Sequence, residues 1–206
     1  MTQKPAIIFD FGGVLLDWDP RNLYRKLFYG DLAAMENFLS EIDFHSWNLK
    51  QDAGRSFPEG VAELSARFPH YADLIRAYDE RWEESIGDPI QGTVEMLQPL
   101  RESGFAIHGL SNWSAEKFKL VSHRYAFFGL FESILISGQV GLVKPNPLIF
   151  NLMLANIGRP AGDCIFIDDS PVNTDAAGRL GFRAILFESP GQLRAGLSRM
   201  GVDFQL

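Results

Sequence analysis

Five short apolar runs punctuate the chain, each closed by turn residues or charge: Ala6–Phe9, Phe105–Leu110, Ser133–Ile136, Cys164–Ile167 and Phe182–Phe187. They are apolar at consecutive rather than alternate positions, which predicts strands buried on both faces, as in a parallel sheet. Helical segments separate the last four. Val94–Ser103 stops at Gly104, Ala115–Phe127 follows Ser114, Leu148–Ile157 follows Asn146-Pro147, and Val172–Leu180 lies between Ser170-Pro171 and Gly181. Proline at the start and glycine just past the end is the usual asymmetry of helix boundaries. Alternating strands and helices predict an α/β fold with a doubly wound parallel sheet.

One stretch departs from this rhythm. Between Asp17 and Gly87 the patterning is helical only, with helices predicted from Asp19-Pro20 to Tyr29, from Asp31 to Leu39, from Ser56 to Phe68 and from Pro69 to Ile86. The expected organisation is therefore an α/β core, residues 1–16 and 88–206, with an α-helical cap, residues 17–87, inserted after the first strand.

Composition narrows the function classes. The 206 residues carry a net charge of -7, which disfavours nucleic acid and anionic membrane as partners. With 46% hydrophobic and 22% charged residues the chain reads as an ordinary globular protein. The one cysteine, Cys164, has no partner for an internal disulfide, and four scattered histidines form no zinc motif. No apolar run is long enough for a membrane span, and no basic-then-apolar leader opens the chain, so a cytoplasmic location is expected.

The chemistry gathers where strands end. The first predicted strand runs into Asp10, the second into Ser111-Asn112, and the fourth into Asp168-Asp169; the third is followed by a Gly-rich loop, Gly138–Gly141, and Lys144-Pro145. In open α/β sheets ligands bind beyond the carboxyl ends of the strands. Clustered carboxylates suit magnesium with a substrate phosphate, lysine and small polar donors suit phosphate oxygens, and an aspartate can be a covalent nucleophile. Singly, each element is ordinary turn or helix-start chemistry; their joint placement in one crevice is what points to a site.

In these residues the chain resembles the haloacid dehalogenase-like (HAD) hydrolase superfamily. The resemblance rests on Phe9-Asp10-Phe11-Gly12-Gly13-Val14-Leu15, Leu110-Ser111-Asn112, Lys144-Pro145 and Phe166-Ile167-Asp168-Asp169-Ser170 with Asn173. It implies a Rossmann-like core, a cap that selects substrate, and a phosphatase acting on small phosphorylated metabolites such as sugar phosphates. By the same resemblance Asp10 is the nucleophile that becomes an aspartyl phosphate. Ser111, Asn112, Lys144 and Gly13 hold the phosphate, and Mg2+ is held by Asp10, the Gly12 carbonyl, Asp168 and Asp169. Gly12 is the departure, because phosphatases of the superfamily usually carry there a second Asp that moves the leaving-group proton. A phosphatase for good leaving groups, a metal-independent 2-haloacid dehalogenase and a catalytically impaired binding module all remain compatible with Gly12; the paired Asp168-Asp169 favours the first. Within the cap and its surroundings the residues singled out are His45, Trp47, Arg55 and Trp82, with Trp113 beside the crevice. Trp47 and Trp82 are expected mainly as packing, Arg55 as a guanidinium in a loop, and His108 as a core histidine.

Overall fold

A computed structural model describes residues 4–205. Its elements, in chain order, are β1 (Ala6–Phe9), β2 (Leu16–Trp18), α1 (Pro20–Leu27), α2 (Leu32–Glu41), α3 (Phe44–Asp52), α4 (Phe57–Arg67), α5 (Ala72–Glu80), β3 (Ile86–Pro89), α6 (Gln91–Glu102), β4 (Ile107–Ser111), α7 (Ala115–Val121), β5 (Ser133–Ile136), α8 (Ser137–Val140), α9 (Pro147–Ile157), β6 (Cys164–Asp168), α10 (Pro171–Arg179), β7 (Arg183–Leu186) and α11 (Pro190–Arg199). Five strands form one parallel sheet in the order β5-β4-β1-β6-β7.

The consecutive apolar residues of the strands serve two cores. Side chains alternate across a strand, so Ile7 and Phe9 of β1 and Ile165 and Ile167 of β6 join the cluster that contains Leu97 and Leu100 of α6 and Leu193 and Leu197 of α11. Ala6, Ile8, Cys164 and Phe166 face the opposite way, into a cluster with Ile149, Phe150 and Met153 of α9 and Ala176 and Ala177 of α10. Each strand is thus covered on both faces, which is why its sequence lacks alternation.

All five predicted core strands are present, within two residues of their expected ends. The inserted region differs in part. The expected all-helical stretch is framed by an antiparallel ribbon, β2 with β3, pairing Leu16 with Pro89 and Trp18 with Ile86. Strands of three and four residues are too short to display a period. The helix expected from Pro69 to Ile86 ends at Glu80, because Trp82 turns in a 3-10 segment to pack on Trp113 with ring centroids 5.7 Å apart. Likewise the helix expected over Ala115–Phe127 stops at Val121, and Phe128 and Phe131 swing onto Phe11, at 4.9 and 5.4 Å. The Gly138–Gly141 segment, expected as a loop, contains the short helix α8, ended by Gly141 in a left-handed conformation.

Helix α3 had no counterpart in the sequence reading. Its buried residues, Phe44, Trp47, Asn48 and Gln51, do fall at helical spacing, but two of the four are polar and the N-terminal Asp43 makes no side-chain cap. Helix α11, capped by Ser189 and opened by Pro190, follows the last of the expected elements.

Candidate active site

Parallel register brings the site together. Phe9 is paired with Ile167 and Gly109, and the Asp10 N–H donates to the Ile167 carbonyl at 2.9 Å, so the chain leaves β1, β4 and β6 side by side. Asp10 is 7% exposed, and one of its oxygens accepts the Phe11 N–H at 2.7 Å. Lys144 is 2% exposed and donates through Nζ to Asp10 at 2.8 Å, to Asp168 at 2.6 Å and to the Leu110 carbonyl at 3.0 Å. Burying this cation without partners would cost several kcal/mol, so the lysine acts as the hub between two carboxylates. Burial pushes its ammonium toward the neutral form, but Asp10 and Asp168 outweigh that and hold it above the ordinary lysine value. Burial pushes Asp10 up to about 7, against the pull of Lys144 and with a further push from Asp168.

Asp10, Asp168 and Asp169 each offer an oxygen within 4.8 Å of the others. The three differ in what occupies them. Asp168 already accepts Lys144, the Asn173 amide at 3.0 and 3.1 Å and the Ser170 N–H at 2.9 Å, so its first duty is to position Lys144 and the start of α10. Asp169 is exposed toward the crevice. This set of hard oxygens beside a cavity fits a magnesium-type ion.

Asn112 and Gly13, both expected near phosphate, have partners within the chain. Asn112 spends its side chain on the backbone of Lys144, donating to its carbonyl at 2.9 Å and accepting its N–H at 2.8 Å, which locks the lysine's loop against β4. The Gly13 N–H donates to the Leu16 carbonyl at 2.9 Å. What Gly13 contributes is room: a Cβ there would stand 2.1 Å from Asp169 Oδ2, and its φ of +72° lies in the left-handed region. Ser111, at the end of β4, is buried and lines the same cavity as Asp10.

Above this floor opens a cavity of about 430 Å³ whose lining includes Asp10, Gly12, Gly13, Ser111, Asn112, Lys144 and Asp169. The inserted helices and neighbouring loops close it with Trp18, His45, Asn48, Leu49, Asp52, Trp82 and Trp113. Of the residues singled out from sequence, His45, Trp82 and Trp113 therefore reach the crevice. Trp47 is core: its indole donates to the Gly60 carbonyl at 2.9 Å among Phe44, Phe57 and Tyr78. Arg55 is tied back to Gln51, Glu63 and the Trp47 carbonyl, not aimed at substrate. His108 is buried in β4 against the Ser133 hydroxyl at 2.9 Å.

Asp52 is the site residue that sequence reasoning missed. It ends α3, accepts the Asn48 amide at 3.0 Å, and its own carbonyl accepts the Ser137 hydroxyl at 2.6 Å. Burial, partly offset by the neighbouring Ser114 backbone and reinforced by Asp10, pushes its carboxyl up to about 7. No spacing signal ties it to Asp10; its place depends on how α3 docks.

A doubly wound sheet with carboxylates and a buried lysine at its carboxyl edge defines a hydrolase built on a Rossmann-like core. Residues 4–181 match the family described as haloacid dehalogenase-like hydrolase, and the chain belongs to that family. It is 31% identical over 202 residues to a drimenol cyclase of Aspergillus calidoustus, an alignment covering 95% of this chain and 36% of that protein. It is 25% identical over 185 residues to a sesquiterpene phosphatase of Aspergillus oryzae, covering 87% and 88% of the two chains. The chain thus spans about a third of the first relative's length and most of the second's. Among solved structures, a HAD family enzyme from Bacteroides thetaiotaomicron in complex with magnesium and inorganic phosphate superposes with a TM-score of 0.67 at 24% identity, over 90% of this chain and 95% of that one. Among the described residues no helix is long and apolar enough to cross a membrane.

Proposed function

We propose that the chain is a magnesium-dependent phosphomonoesterase of small phosphorylated metabolites, working through an aspartyl phosphate on Asp10. The observation that carries this reading is the trio of carboxylates around Lys144 at the floor of an open cavity. Asp10 lines the cavity and is the nucleophile, and Lys144 holds its carboxylate in place and offsets negative charge as the phosphoryl group approaches. Asp169, Asp10 and the Gly12 carbonyl would hold Mg2+, which would supply charge neutralisation of the phosphate when bound. Ser111 supplies a hydroxyl to the same oxygens. Asp168, Asn112 and Asn173 keep Lys144 in register.

The same charge distribution disfavours the haloacid reading. A 2-haloacid substrate is itself a carboxylate, and Asp168 with Asp169 would repel it. The division into core, residues 1–16 and 88–206, and cap, residues 17–87, is part of the proposal. It is supported by the β2–β3 ribbon, which ties the two crossings of the chain together. The indoles of Trp18, Trp82 and Trp113 with Leu16 and Leu49 favour an ester whose alcohol has an apolar face, a property of terpenyl phosphates and, on their ring faces, of sugar phosphates.

The test is phosphate release from a panel of terpenyl, sugar and aryl phosphates with and without magnesium, beside chloride release from 2-chloropropionate. Magnesium-dependent phosphate release that is lost in Asp10→Asn is expected. Chloride release without magnesium would replace this reading by the dehalogenase, and inactivity toward both sets would replace it by a binding module.

A further inference from the structure

An alkyl phosphate leaves its phosphorus as an alkoxide, a group that departs slowly unless a proton meets it. On the floor no group is free to give one. Asp10 is the nucleophile, Lys144 is shared between two carboxylates, Asp168 accepts from three partners, and position 12, adjoining them, is glycine. Asp169 lies within the trio of cation-type oxygens. The carboxyl that remains in the cavity wall is Asp52, outside that trio and contributed by the inserted helix α3.

Building on the phosphomonoesterase reading, we infer that Asp52 is the general acid and base of the reaction, brought over Asp10 by the docking of α3 on the strand ends. Its surroundings hold it there. The Asn48 amide fixes the carboxyl, and the Ser137 hydroxyl, which also accepts the Trp113 N–H at 2.9 Å, fixes its backbone. Gly54 then passes so close to the core that a Cβ on it would stand 3.3 Å from the Gly138 carbonyl. The titratable groups facing Asp52 are Asp10 and Lys144 from the floor, Tyr78 from α5 and His45 from its own helix. Its carboxyl, raised to about 7, has an acidity suited to giving a proton and taking one back near neutrality.

In the first step an Asp10 oxygen forms a bond to phosphorus while the bond from phosphorus to the alcohol oxygen breaks. Asp52 gives its proton to that oxygen, the alcohol leaves and Asp52 becomes a carboxylate. In the second step Asp52 takes a proton from water as the water oxygen bonds to phosphorus. The bond between Asp10 and phosphorus breaks, and inorganic phosphate, the Asp10 carboxylate and protonated Asp52 are restored.

The experiment measures kcat/KM of the wild type and of Asp52→Asn over esters graded from acidic phenols to simple alcohols. Loss of the acid is expected to cost about 10²–10⁴-fold with alkyl esters and progressively less as the leaving group becomes more acidic. The fall of wild-type kcat/KM above pH 7 with alkyl esters should be absent from the variant. In the double variant Asp52→Asn with Gly12→Asp, alkyl-ester activity should partly return, since a Cβ at position 12 meets only Trp18 Cβ at 3.8 Å. An equal loss across all leaving groups, or a graded loss in His45→Gln instead, overturns the assignment while leaving the phosphomonoesterase intact. The wild type supplies a measurement that needs no variant: a steep dependence of its own kcat/KM on leaving-group acidity also overturns it. Failure of the wild type to release phosphate from any ester overturns both readings.

Discussion

The floor and the wall of the cavity are built by different means. Every charged floor group is at a strand end, one residue past it, or on the loop that Asn112 clamps, and parallel hydrogen bonds set their spacing. The wall is carried by α3, whose hold on the core near the site runs through Ser137 and the close pass of Gly54 against Gly138. A charge on the floor is therefore placed by register, and a charge in the wall by docking. The floor is suited to chemistry common to all substrates, and the wall to selecting the alcohol and handling its proton.

Removing a floor group should have the largest effect. Asp10→Asn keeps the Phe11 and Lys144 contacts sterically possible but removes the nucleophile, and kcat for phosphate release should fall by roughly 10⁴-fold or more. A residual rate within tenfold of wild type would mean that the floor does not carry the covalent chemistry. Next comes Lys144→Met, which leaves Asp10 and Asp168 facing each other without their shared cation. Breaking a buried pair in this way costs about 3–5 kcal/mol, to be read from the urea midpoint at pH 8.

The wall should respond more mildly. Ser137→Ala removes the bond to the Asp52 carbonyl and leaves the buried Trp113 N–H without its acceptor, a cost of about 1–3 kcal/mol. Amide exchange should quicken in α3 while β1 and β6 stay protected; equal acceleration in both would dissolve the distinction between floor and wall. The smallest effect concerns His108, which lies in β4 behind the floor. Burial chiefly lowers its pKa below 6.5, so the unfolded chain takes up a proton that the folded one resists. Stability attributable to this residue is present above pH 6.5 and is lost as the pH falls below it, by at most about 1.4 kcal/mol per unit of pH. In His108→Gln the acid side of the stability profile should be flatter than in wild type; an unchanged profile would show that the imidazole does not resist protonation.

The two regions were also unequally legible in the sequence. The floor could be read because Asp10, Ser111, Asp168 and Asp169 each adjoin an apolar run whose strand character follows from its own composition, and Lys144 lies on the loop that follows another. Even there the structure adds roles that spacing does not show: Asn112 clamps the Lys144 loop, and Gly13 makes room for Asp169. The wall could not be read in the same way. The buried face of α3 is half polar, so Asn48 and Gln51 hide its period, and nothing in the spacing marks Asp52 as part of the site.

From the order of its apolar runs and the residues that close them, the chain by itself determined a parallel sheet, a helical insertion and a carboxylate-rich edge. A strand buried on both faces announces itself locally, and its carboxyl end is a fixed address. Which side chains of the insertion reach that edge was decided only by tertiary packing. The turn of Trp82 onto Trp113, the swing of Phe128 and Phe131 onto Phe11 and the seat of α3 on Ser137 are contacts between residues distant in sequence. Such contacts depend on the fit of whole surfaces, and no period along the chain encodes them.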